Sequence, residues 1–241
     1  MTNPAEAFIQ PRTLVTLACV GLLGPLTMFA GDMLLYYTSV SSEYFDSHIA
    51  EIMSDMPFAR LALGGLFGPI AAVLYMASFL VIVLFIDPDC RRSRIGIFVL
   101  FACMMTVGGA YHALFPLFAF HADAVLAGAL PEAEHFPAVG ALSAAYLNTL
   151  SAAYIGCGCA AWIWLAVLVF RGRTLLPRWS LLLTPVLWIP LGELFLALPQ
   201  PLNVIFAGGW FNLAYLPMFA LLVKVALGNA SALFTRSTGV A

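Results

Sequence analysis

The feature that most constrains this chain is its series of long apolar runs. They lie near residues 13–37, 62–86, 95–120, 143–170, 178–198 and 204–227. A run of about 20 apolar residues is the length a helix needs to cross the hydrocarbon core of a bilayer. Hydrophobic residues make up 63% of the 241 positions and charged residues only 9%, with a mean hydropathy of +0.99. A single water-soluble core of this size would leave a large surface for which this composition has too few polar side chains. A bilayer removes that problem by acting as the solvent. Open sheet edges cannot be satisfied in lipid, and no period-2 alternation is evident, so helices are the spanning element. The expectation is an all-α, multi-pass bundle of six transmembrane helices forming one domain over residues 1–241, with no linker or low-complexity stretch.

Basic residues orient the bundle. Arg12 precedes the first run; Arg91, Arg92 and Arg94 lie between the second and third; Arg171, Arg173 and Arg178 between the fourth and fifth; Lys224 and Arg236 at the end. With six crossings all of these fall on one side, and only Arg60 falls on the other. By the positive-inside rule both termini are expected in the cytoplasm, with the protein in the cell inner (plasma) membrane. The first run follows a single arginine, is about 25 residues long and contains Asp32, which makes it a span rather than a cleaved signal.

The outer loops differ. Residues 38–61 alternate acids such as Glu43, Asp46 and Glu51 with Phe45, Ile49, Ile52 and Met53, which predicts a short amphipathic surface helix. Residues 121–142 carry His121, Asp123, Glu132, Glu134 and His135 with Pro131 and Pro137, which predicts a partly irregular loop. These residues together with His112 are potential metal ligands, but no spacing matches a zinc motif, and no metal site is assigned. Five cysteines are present, none on the outer side; Cys157 and Cys159 point to different faces of one helix and read as packing residues.

Two runs echo one another: Gly21-Leu22-Leu23-Gly24-Pro25 and Gly65-Leu66-Phe67-Gly68-Pro69. Matched Gly/Pro interruptions occur at transporter binding sites, but Gly and Pro also serve simply to let membrane helices pack closely. The second reading is preferred, because the rest of the two runs does not match. Gly64 and Gly68 form a small-xxx-small pair suited to an internal seam.

Ionisable groups in lipid are expensive, so each needs an explanation. Asp32, His112 and Glu193 lie within the runs, with Asn148 and Asn212 as uncharged companions. With the expected topology all five fall roughly 7–12 Å below the outer surface, on five different helices. Phe29, Asp32 and Tyr36 share a helix face, as do Gly208, Asn212 and Tyr215, and Gly108, His112 and Pro116. Pro116 removes a backbone donor and so frees the carbonyl of His112. The site reading is a pocket opening to the outer leaflet, with His112, Asp32 and Glu193 as candidate acid–base groups and Tyr36, Arg60, Asn148 and Asn212 as candidate binding groups. The alternative is structural, with Asp32 or Glu193 paired to Arg60 and the amides joining helices.

Nucleophile elbows, P-loops and dinucleotide fingerprints are absent, and one histidine within a span does not make a haem site. The cofactor is therefore left open. A net charge of −2 gives no reason to expect nucleic acid; the expected partners are membrane lipid and a small ligand. The stretch Gly31-Asp32-Met33-Leu34-Leu35-Tyr36 resembles the Gly-Asp-x-x-Leu stretch of the lysoplasmalogenase-like membrane hydrolases, and Tyr111-His112 is similar to another of their segments. Those hydrolases have more helices, and their activity is not carried over. The chain as a whole resembles the uncharacterised bacterial six-helix membrane families. The function expected from these readings is binding or conversion of a small apolar or amphipathic molecule. Proton-coupled transport or sensing, and a structural role in a membrane complex, are the alternatives.

Overall fold

A computed structural model describes residues 10–37, 53, 56–117 and 136–238, without the side chains of Pro11, Tyr36, Glu193, 136–144 and 229–238. The described residues are overwhelmingly helical. Helix α1 runs Pro11–Tyr36, α2 Phe58–Phe85, α3 Arg91–Leu114 and α4 Phe136–Phe170. Proline stands at the first position of α1, where its missing N–H costs nothing. α4 stops at Gly172, whose φ of 67° lies in the left-handed region. Its N–H bonds Val169 O and the next N–H bonds Leu168 O, a Schellman closure.

The expected span at 178–198 is not one helix. It is a 3₁₀ turn at Arg178–Leu183, helix α5 at Pro185–Trp188, a second 3₁₀ turn at Ile189–Leu191 and helix α6 at Gly192–Phe195. Pro185 and Pro190 each lack the N–H that an unbroken helix needs there, so each opens a new piece. The next expected span, 204–227, is also divided, into α7 (Leu202–Leu213) and α8 (Leu216–Thr238), which meet at 41°. Pro217 cannot donate to Leu213, and the chain tightens there: Tyr215 N–H reaches Asn212 O instead. Among the described residues four helices are therefore long and apolar enough to cross a membrane, and α7 with α8 makes a fifth if the bent pair counts as one.

Helices α1 to α4 pack in chain order, and α7 and α8 lie against α1. The row closes where Trp162 of α4 meets Tyr215 at 6.0 Å between ring centres. The segment 178–198 runs antiparallel to α7–α8: its first turn packs on α8, Trp188 O accepts from Trp210 Nε1 at 2.7 Å, and the ring of Phe195 lies tilted against that of Phe206 at 5.4 Å. Much of the outward surface is apolar, including Val73, Phe170 and Leu187.

The glycine echo is a packing device. A Cβ on Gly21 would strike Ser78, and one on Gly24 would lie 2.8 Å from Tyr75 N, so the α1 pair receives α2. A Cβ on Gly65 would lie 2.7 Å from Pro116, and one on Gly68 2.7 Å from His112, so the α2 pair receives α3. Close backbone approach is what small residues supply in membrane bundles.

The expected surface helix at 38–61 and irregular loop at 121–142 fall largely outside the described residues, with His48, His121 and His135. The described part of the second, 136–142, is not irregular but helical, the first turns of α4. In the first, Met53 is fully buried against Leu35 and Leu61, tying the loop to the ends of α1 and α2.

Candidate functional site

The site grows from one acidic residue. Asp32 sits one turn from the end of α1 and is 4% exposed. Its Oδ1 lies 3.2 Å from His112 Nε2 of α3. Its Oδ2 accepts from Asn212 Nδ2 of α7 at 2.6 Å. Asn212 Oδ1 in turn accepts from the Tyr75 hydroxyl of α2 at 2.9 Å. One hydrogen-bonded chain thus joins four helices. The two neighbours also fix the amide: its NH₂ faces the carboxylate and its oxygen faces the hydroxyl donor.

Local features make room for this chain. Gly68 and Gly31 flank the His112 ring, and any side chain there would overlap it. The break between α7 and α8 falls just after Asn212, so the irregular backbone lines the polar group rather than lipid. The carbonyl that Pro116 frees does not open into a cavity, because Phe115 N–H closes on His112 O at 3.3 Å. His112 Nδ1 is buried with no hydrogen-bond partner among the described residues.

Beside the chain lies a half-open cavity of about 160 Å³. Asp32, His112, Asn212 and Tyr75 form its polar side. Met28, Met104 and Met105, with the rings of Tyr111, Tyr154, Phe211 and Tyr215, form the rest. Below it the bundle is filled by aromatic rings: Phe79 stacks on Phe101 at 4.0 Å, and Trp162 meets Phe101 edge-on at 5.3 Å.

The sequence-derived candidates separate. Asp32, His112 and Asn212 come together. Arg60 does not join them, nor does it pair with Asp32. Its guanidinium bonds the carbonyls of Leu34, Met33 and Tyr37 at 2.8, 3.2 and 2.6 Å, capping the end of α1. It lines a separate, more open groove with Phe29, Met33 and Leu34. Asn148 is exposed. It is six residues from the cavity-lining Tyr154 on α4, which at 3.6 residues per turn puts the two on different faces. Glu193 lies in α6 and Tyr36 ends α1, but their side chains fall outside the described residues. Tyr154 and the methionines were not singled out from sequence. Met28 had a signal, since it stands one turn before Asp32; Tyr154 had none apart from its hydroxyl. No group of three or more His, Cys, Asp or Glu capable of holding a metal occurs among the described residues.

Among the described residues, four to five apolar helices long enough to cross a membrane gather around a buried polar chain, an architecture that points to a helical membrane protein. Residues 6–229 match the model of a family of unknown function, DUF6796, and the chain belongs to that family. No curated protein and no solved structure matches it.

Proposed function

We propose that this protein holds a small apolar or amphipathic molecule in the cavity beside Asp32, with the polar chain orienting its head group. The observation that carries the reading is the cavity itself: mostly apolar walls meeting a buried carboxylate, imidazole, amide and hydroxyl on one side. Pockets for small molecules have this composition, a largely hydrophobic lining with a few placed polar groups. Binding is better supported than histidine-driven conversion. His112 Nε2 is engaged by Asp32 and Nδ1 is shielded, so neither nitrogen is free to take a proton from an occupant. The short Gly-Asp-x-x-Leu likeness to membrane hydrolases is compatible with a polar site around Asp32 and names no reaction. Transport is less favoured, because the stacked rings of Phe79, Phe101 and Trp162 fill the path below the cavity.

The topology that suits this reading has six crossings, both termini in the cytoplasm and the cavity in the outer half of an inner-membrane bundle. Two facts favour it. The segment 178–198 runs the length of α7–α8 in the opposite direction, and at about 2.0 Å rise per 3₁₀ residue and about 1.5 Å per α residue its pieces reach about 30 Å. Six crossings also leave Arg60 as the only basic residue on the outer side.

The test is native mass spectrometry of the protein purified in mild detergent, with lipid extraction. A discrete small molecule that co-purifies, and is lost in Asp32→Asn with the fold retained, is the expected result. A protein carrying nothing, whose Asp32→Asn and His112→Ala variants simply unfold, would make the chain a helix-joining structure and end the pocket reading.

A further inference from the structure

Among the described residues the charges around the cavity do not balance. Asp32 is buried, and among the described residues its only ion-pairing partner is His112. Hydrogen-bond accounting argues against His112 as a cation. An imidazolium carries N–H on both nitrogens, and Nδ1 has no acceptor, so the charged ring would bury an unsatisfied donor. The tautomer that leaves no buried N–H unpaired is the neutral ring donating Nε2–H to Asp32. The nearby guanidinium of Arg60 is spent on three carbonyls. A buried carboxylate with no cation beside it needs either a proton or a cationic occupant.

The cavity lining suits such an occupant. Five aromatic rings, those of Tyr75, Tyr111, Tyr154, Phe211 and Tyr215, line the same cavity. They are set at angles to one another: Tyr75 and Tyr215 meet edge-on at 5.2 Å, Tyr154 and Phe211 at 5.8 Å, and Tyr111 and Tyr154 are tilted at 5.9 Å. Ring faces attract cations within about 6 Å, and cages of this kind take quaternary ammonium groups. Two of the four lone-pair sites of the Asp32 carboxylate are used by His112 and Asn212, leaving the rest open to a cation. Size agrees as well: a cavity of about 150 Å³ takes a benzene-sized group, and a trimethylammonium head has about that bulk. Methyls on the nitrogen suit walls made mostly of ring and methionine carbon; a thioether sulfur is only a weak acceptor, and that of Met104 already takes the Tyr215 hydroxyl.

We propose that the cavity binds a methylated ammonium head group, held between the Asp32 carboxylate and the aromatic cage of Tyr75, Tyr111, Tyr154, Phe211 and Tyr215. This rests on the reading of the cavity as a ligand site and narrows its ligand class.

The probes are choline and its uncharged carbon isostere, 3,3-dimethylbutan-1-ol, titrated into the full-length detergent-purified protein by calorimetry or ligand-observed NMR. The expected result is a preference for choline of roughly tenfold or more, the scale of a desolvated cation–π contact. Asp32→Asn should remove most of that preference. Should that variant fail to fold, Tyr154→Leu serves instead: it keeps the wall apolar, and choline should weaken several-fold while the isostere does not. Equal binding of both probes would overturn the ammonium assignment and leave the ligand pocket standing. Binding of neither probe by the intact protein would overturn the assignment, while a different co-purified molecule would still uphold the pocket.

Discussion

The two halves of the bundle use the same helices in opposite ways. At the arginine-rich end, α2, α3, α4 and α8 are filled by rings and large aliphatic side chains, and the rim is pinned by polar contacts. Arg94 bonds the carbonyls of Val83, Leu84 and Ile86, closing the end of α2. Asp87 pairs with Arg173 at 2.9 Å, and Leu175 N–H reaches Phe85 O. At the Asp32 end, glycines replace large side chains at the helix contacts, the helices approach closely around His112, and a cavity remains beside them. The difference shows how one fold divides its labour. Close-packed rings hold the bundle together by dispersion and burial, which tolerates no gap. The other half gives up part of that packing to hold four polar groups in one chain. Each end nevertheless closes a helix with an arginine, Arg60 on α1 and Arg94 on α2, since a guanidinium can serve several terminal carbonyls at once.

Mutations that attack each half should separate these roles. The largest effect is expected from Phe101→Ala, which opens a hole in the ring stack where Phe101 is fully buried. A loss of about 3 kcal/mol or more follows from such truncations. It should appear as a fall in melting temperature in detergent, with ligand retention per folded molecule unchanged. A normal melting temperature would mean the stack is not what holds the bundle.

Asn212→Leu should come next. It keeps the branched shape but leaves Asp32 Oδ2 and the Tyr75 hydroxyl without their partner, at about 1–3 kcal/mol for each unsatisfied group. Here stability and ligand retention should fall together. If only stability fell, the chain would be joinery rather than part of a binding site.

Asp87→Asn should have the smallest effect. The pair with Arg173 is partly exposed, with side-chain exposures of 27% and 50%, and exposed pairs contribute about 0–1 kcal/mol. High salt should mimic the mutation. A shift as large as that of Asn212→Leu would show that the rim, not the interior, sets the stability of this end.

Much of the architecture was legible because helix formation in an apolar run needs no partner. The four long helices follow from composition alone. The runs at 178–198 and 204–227 were the exceptions: their prolines were visible, but hydropathy does not register backbone donors, so neither the four short pieces of the first nor the bend in the second was. The candidate site was legible by depth. Asp32, His112 and Asn212 were placed in one band by counting residues from the span ends, and Gly208, Asn212 and Tyr215 were placed on one face by helical spacing; all of these line the cavity. The same counting put Asn148 in the band, although its side chain is exposed, and Arg60, read as a binding group or as a partner for Asp32 or Glu193, instead caps a helix.

The sequence by itself determined that this chain forms long apolar helices with a few polar side chains at one level. Those properties belong to each segment separately, and composition and spacing suffice to state them. Only the tertiary structure decided which polar groups meet. Helical periodicity fixes the relative faces within one helix but not the rotation of that helix against its neighbours. That rotation is set by contacts such as Gly68 on His112 and Gly209 on Phe29, which exist only once the helices have packed.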